Sequence, residues 1–150
     1  MNSNNKVYNT FNEVLVKLFN DIMHIEEKAI ITEEFKDISN NDMHIIEAIG
    51  ITDPKNMSQV AKALSVTVGT LTIAINNLVK KGYVDRVRSE KDRRVVYISL
   101  SEKGRKAYAH HAKFHEEMIN ATINGLSTDE VNVLVKSLEN LVGFFRDWQH

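Results

Sequence analysis

The chain has no cysteine, one proline and six glycines among its 150 residues. Without cysteine there can be neither a disulfide framework nor a thiolate ligand or nucleophile. So little proline and glycine excludes collagen-like and low-complexity chains and leaves the backbone free to form long helices. No apolar run approaches the roughly 20 residues of a membrane span, and no signal-peptide pattern follows Met1; the expectation is a cytoplasmic protein. An excess of one charge is missing too, since 19 Lys and Arg against 20 Asp and Glu leave a net −1. What remains is ordinary globular composition, 43% hydrophobic and 26% charged, enough for one domain with a real core, residues 1–150.

Residues 57–100 organise that domain. Val60, Ala61 and Leu64 give a short amphipathic helix for which Ser58 is the expected N-cap. Ser65 and Val66 break it. Thr67 caps a second helix that buries Leu71, Ala74, Ile75 and Leu78 and stops near Gly82. Two short helices around a tight turn form a helix-turn-helix, whose second helix can lie in a major groove. Residues 83–87 and 95–100 follow as β-branched and aromatic runs around a polar, mostly cationic 88–94, which reads as a β-hairpin with a basic tip. From Lys80 to Lys106 there are ten Lys or Arg against four Asp or Glu, a local +6 in a chain of net −1. That concentration is the electrostatic footprint of a DNA-facing surface.

The flanks are helical. Phe11, Val14, Leu15, Leu18, Phe19, Ile22, Ile25, Ala29 and Ile30 predict one long amphipathic helix over 6–34, too long for the interior of such a monomer and so partly an interface. Ser39 and Asp42 open a further helix carrying Met43, Ile45, Ile46 and Ile49, closed by Gly50 and a Thr52-Asp53-Pro54 turn. After the hairpin, Ser101 caps a helix reaching about 124, with Gly125 as its stop. Ser127 and Glu130 form a capping box for a last helix whose Val131, Leu134, Leu138, Leu141, Phe145 and Trp148 make an a/d-type seam suited to a partner subunit. The predicted fold is mainly α with a small β wing: a winged helix-turn-helix core at 39–100 between dimerisation helices at 1–36 and 101–150.

With Asp92-Arg93-Arg94 in the wing and a strand running into Ser101-Glu102-Lys103-Gly104, nearly the whole chain resembles the MarR family of bacterial transcription regulators. Phe35-Lys36-Asp37-Ile38-Ser39, Met43-His44, residues 66–72, Asn76-Asn77-Leu78 and residues 86–96 further resemble the FabT-type repressors of fatty-acid synthesis genes. That resemblance implies a homodimer on an AT-rich palindrome, with acyl chains on acyl carrier protein as corepressor and no required cofactor. It also assigns Asp92 to holding a wing arginine and Arg94 to a groove.

The residues add their own argument. Opposite the buried face of the second motif helix lie Gly69, Thr70, Thr72, Ile73, Asn76 and Asn77, beside Val68. Asn can pair with adenine and Thr or Ile methyls can pack on thymine, while no Arg is available there for guanine. Contact of Asn76 and Asn77 with phosphate or solvent alone is the alternative. Thr67 is placed to hold a phosphate at the helix start, Arg94 or Arg93 can enter a minor groove, and Arg86, Arg88 and Lys91 suit phosphates.

For an acyl chain the adaptable apolar candidates are Phe19, Ile22, Met23, Met43, Ile46, Phe114 and Met118, with His44, His111 and His115 nearby; plain core is the alternative. Arg105 and Lys106 could meet an acidic carrier. His111 and His115, an i,i+4 pair, together with Glu26 and His44 resemble the ligand set of AdcR-type zinc-sensing members of the family, against the alternative of helix-packing histidines. A small hydrolytic enzyme is the rival of another class, but nucleophile motifs and phosphate loops are lacking.

Overall fold

The computed structural model describes residues 3–148. The described residues form two compact units, divided between Lys113 and Phe114. Among the described residues no single helix is long and apolar enough to cross a membrane.

The first unit opens on a helical arm of α1 (Ser3–Asn12), a π-helical segment (Glu13–Leu18) and α2 (Phe19–Ile30), with helical backbone at both joins. Consecutive apolar residues Val14-Leu15-Val16 fall on no single face of a 3.6-residue repeat, and the wider π turn shifts the phase between the two α stretches. The helix expected to reach 34 stops instead at Ile30, where Ile31 turns extended. Burial explains the stop, because Phe35 and Ile38 are drawn into the core. Thr32 Oγ1 accepts the Phe35 N–H at 3.2 Å and braces the descent.

The next helix, α3 (Asn40–Ile49), starts on the expected Ser39–Asp42 capping box, with both reciprocal bonds formed at 3.0 and 3.1 Å. It buries Met43, Ile45, Ile46 and Ile49. Gly50, at φ +70°, ends it. A two-residue strand that the sequence did not announce follows, β1 (Lys55–Asn56). Helix α4 (Met57–Leu64) then begins on Asn56, and the Ser58 cap expected from the sequence is incorrect. Asn56 Oδ1 accepts the Gln59 N–H at 2.8 Å and Gln59 returns its side-chain oxygen to the Asn56 N–H at 3.0 Å, leaving Ser58 exposed in the first turn. Ser65 closes α4 in the left-handed region. The chain turns through 106° into α5 (Val68–Lys80), capped as expected by Thr67, whose Oγ1 accepts the Thr70 N–H at 3.1 Å. That angle falls in the helix-turn-helix range.

Strands β2 (Val84–Arg88) and β3 (Val96–Leu100) start one residue later than the sequence suggested and pair antiparallel, Val84 with Leu100 through Arg88 with Val96. β1 adds on the far side of β3, giving the order β1-β3-β2. Leu71, Ile75, Leu78, Val60 and Ala61 meet Tyr83, Val84, Ile98 and Leu100 in one core with the buried face of α3. Helix α6 (Glu102–Ile123) closes this core with Ala107 and runs into the second unit. There, α7 (Thr128–Asp147) begins on the Ser127–Glu130 capping box. On its seam Val131, Leu134 and Leu141 are half-buried, while Leu138, Phe145 and Trp148 are exposed.

One junction sets where α6 leaves the sheet. Ser101 N donates to Tyr83 O at 3.0 Å, and Ser101 Oγ both donates to Gly82 O and accepts the Gly104 N–H. A Cβ on Gly104 would lie 2.1 Å from Tyr83 O, so only glycine permits this approach. Gly104→Ala is expected to destabilise the fold by about 1–3 kcal/mol through forced backbone displacement. A urea midpoint unchanged from wild type would show that the approach is dispensable.

Candidate nucleic-acid interface

The N-terminal turns of α5 and the wing share one side of the first unit. Asn56, Met57 and Ser58 from the start of α4, Val68 and Thr72 from α5, and Arg94, Val95 and Val96 from the wing line a common cleft. Thr67, Val68, Gly69, Thr70, Ile73 and Asn77 are exposed, and Thr72 and Asn76 half-buried. Ile73 stands out with 68% of its surface open, a large apolar side chain on a helix otherwise buried by its other face. Thr72 Oγ1 donates to Val68 O at 2.8 Å, so its hydroxyl is engaged by the helix and its methyl is what it can offer outward. Thr67 Oγ1 donates to Thr70 Oγ1 at 3.0 Å, tying the first turn together.

The wing tip is a built turn. Ser89 N donates to Val95 O and Val95 N to Asp92 O, both at 2.9 Å, while Ser89 Oγ accepts from Lys91 N and Asp92 N. Asp92 Oδ1 accepts the Arg94 backbone N–H at 3.0 Å and its Nε–H at 3.2 Å. The Arg94 backbone N–H, and next its guanidinium, hold the Asp92 carboxyl below the usual carboxylate range. Asp92 thus grips Arg94, whose side chain remains 92% exposed. Arg86, Arg88, Lys91 and Arg93 are exposed around it. Arg86, a candidate for phosphate contact, donates from Nη1 to Asn76 Oδ1 at 2.6 Å.

The wing's root is fixed by Tyr83. Its ring is fully buried and its hydroxyl donates to Asp37 Oδ1 at 2.6 Å. Lys103 Nζ sits 4.2 Å from the ring centroid and 3.9 Å from Asp37 Oδ1, and Lys81 pairs with Asp42 at 2.8 Å. Burial, and next the Asp37 bond, push the Tyr83 hydroxyl well above its ordinary pKa. The Tyr83 hydroxyl, and then the Lys103 charge, hold Asp37 below the carboxylate norm.

The effector candidates are scattered. Met43 and Ile46 are fully buried in the core, Phe19 and Met23 are exposed on α2, and Ile22 is half-buried. Phe114, His115 and Met118 belong to the second unit, where the rings of Phe114 and His115 meet edge to face. Glu26 and His111 do come together: Glu26 Oε1 lies 3.2 Å from His111 Nε2. Glu47 Oε1 lies 3.0 Å from the same nitrogen. His44, one turn earlier on α3, is exposed. Arg105 donates to Ile51 O at 3.3 Å, and Lys106 lies 3.9 Å from Glu34.

A helix-turn-helix with a basic wing on the same side defines a winged-helix, DNA-binding transcription regulator. The family described as transcriptional regulator SarA/Rot matches residues 26–111. The crystal structure of Streptococcus pneumoniae FabT in complex with DNA superposes at a TM-score of 0.83 with 45% identity, over 94% of this chain and 99% of that one. The HTH-type transcriptional regulator SarZ of Staphylococcus aureus is 28% identical over 136 residues, 87% of this chain and 90% of SarZ. A Staphylococcus aureus MepR–DNA complex shares the fold at a TM-score of 0.68 and 21% identity, over 90% of this chain and 97% of MepR. The chain belongs to the MarR family of winged-helix transcription regulators, of the FabT type. It is a regulator, not an enzyme.

The Tyr83–Asp37 bond yields a pH-dependent expectation. Asp37 has its pKa depressed in the fold, so its contribution is fully present above the unfolded value of roughly 3.9 and is lost as pH falls through the lower folded value. Tyr83→Phe should therefore be less stable than wild type at pH 7, with the gap narrowing towards pH 2. Urea titrations at the two pH values would refute this if the gap were constant.

Proposed function

We propose that this regulator represses fatty-acid synthesis genes as a homodimer on an AT-rich palindrome, with the acyl chain of an acyl-acyl carrier protein as corepressor. The observation that carries the DNA part is the arrangement of α5 and wing: Thr72, Ile73, Asn76 and Asn77 sit on a helix free to enter a major groove, while Asp92 presents Arg94 at the wing tip. Methyl groups and amides without an arginine on α5 suit A·T pairs, and a narrow A-tract minor groove attracts the wing arginine. Thr67, Val68, Gly69 and Thr70 form the backbone-donor end of α5, and Arg88, Lys91 and Arg93 meet phosphates. The fatty-acid part rests on likeness to FabT across almost the full length of both chains. Exposed Phe11 and Phe19 on the arm and Leu138, Phe145 and Trp148 on α7 give each unit an apolar surface suited to a second copy.

Fluorescence anisotropy with an AT-rich palindromic duplex tests this. Acyl-acyl carrier protein should tighten binding and the unacylated carrier should not; equal curves would sink the corepressor. Arg94→Ala should weaken binding by about 1–3 kcal/mol. Lys91→Ala should lower the salt slope by about one unit.

One observation favours a second, zinc-responsive reading. Glu26 Oε1 stands 3.2 Å from His111 Nε2, which brings together two of the four ligands that the AdcR-type resemblance implies. Ligand atoms about 2.0–2.2 Å from a tetrahedral zinc stand roughly 3.3 Å apart, close to the Glu26–His111 separation. Zinc would there cross-link α2 and α6. Calorimetric titration should show one site lost in Glu26→Ala; no heat with wild type would dismiss it.

A further inference from the structure

The alternation of β2 places Val84, Arg86 and Arg88 on one face. Val84 is buried in the core, and Arg86 pairs in register with fully buried Ile98. Arg86 therefore springs from the core side of the wing, beside α5, where strand periodicity would call for an apolar residue. It reaches α5 and donates from Nη1 to Asn76 Oδ1 at 2.6 Å. A guanidinium has only donors, so the amide atom facing it must be the oxygen. The amide cannot then rotate by a half-turn without setting NH2 against N–H. With its oxygen held towards the wing, Asn76 turns its NH2 away from Arg86.

We infer that Arg86 is a specificity-positioning residue, which locks the Asn76 amide so that α5 offers a hydrogen-bond donor to one acceptor edge in the major groove, a purine N7, a guanine O6 or a thymine O4. This deepens the proposed DNA reading and rests on α5 entering the groove. An unheld Asn can pair with adenine through both amide atoms. Asn76 in the grip of Arg86 has committed one oxygen lone pair and reads chiefly with nitrogen. Arg86 acts through Asn76, although its remaining donors are free to meet phosphate, and the two roles leave different signatures. A phosphate contact weakens all sequences alike and lowers the salt slope. A positioning role changes preference at one base pair.

The test uses the full-length protein and selection from a palindromic duplex library randomised one position at a time, with wild type, Asn76→Ala, Arg86→Ala and the double variant. Arg86 is exposed and Asn76 half-buried, and a melting temperature close to wild type would show that each variant folds. The expected result is that Asn76→Ala and Arg86→Ala flatten preference at the same base pair, by about fivefold to a hundredfold, and that the double variant is no flatter there than either. Uniform loss across all positions in Arg86→Ala, or additive losses at different positions, would overturn the positioning role. Wild type binding duplex without preference at any position would instead overturn the groove reading beneath it.

Discussion

The close approach of α6 to the carbonyl of Tyr83 is the constraint on which the DNA-facing surface depends. Tyr83 is engaged at every polar atom: its N–H donates to Leu78 O at 2.9 Å, its carbonyl accepts from Ser101, and its hydroxyl reaches Asp37. The first of these bonds ties the end of α5 to the start of β2. The second ties β2 to α6, at a separation that a side chain on Gly104 would prevent. The third joins the wing's root to the loop that descends from the helical arm. A buried hydroxyl left without a partner would cost about 1–3 kcal/mol, so these bonds specify the junction as much as they stabilise it. The angle between reading helix and wing is thereby set within the subunit, before any DNA is met.

Charge is distributed to suit that geometry. The wing tip keeps Arg94 almost wholly in solvent while Asp92 holds its base, so the guanidinium is oriented without being desolvated. Exposed ion pairs contribute little to stability. Their value here is positional: a long side chain already restrained loses less rotamer freedom on entering a groove. The acidic remainder of the molecule offsets the local +6 and leaves a net −1. With a Debye length of about 8 Å at physiological salt, the basic face is still felt locally by phosphate.

Much of this was legible in the sequence because it is local. Ser39 with Asp42, Thr67, Ser101 with Gly104, and Ser127 with Glu130 are short-range signals that the fold honours as capping or turn contacts. The misreadings arise where a neighbour in space decides. Asn56 outcompeted Ser58 because Gln59 could return the bond and because β3 pairs with Asn56 and holds it at the helix start. The helical arm ended early because Phe35 and Ile38 gain more from burial than from continuing a helix. Glu47 and the grip of Arg86 on Asn76 were hidden for the same reason: each joins residues whose proximity follows only from the packing of separate elements.

The node around His111 has a further consequence for how such a regulator could respond to an effector. Its imidazole nitrogen faces carboxylates from α2 and α3 while its own helix is α6, so three elements meet at one ionisable group. Two of them lead away from the reading head: α2 into the exposed apolar arm, α6 into the second unit. In the proposed dimer those segments carry the subunit contacts. Half-sites one helical turn apart demand a head spacing of about 34–36 Å, and a packed core moves between discrete arrangements more readily than it deforms. In that proposed dimer, a ligand that parted His111 from Glu26 or Glu47 would act on helices that continue into the proposed subunit contacts, and so on the spacing of the heads. Such a ligand controls DNA binding only by its difference in affinity between the two spacings.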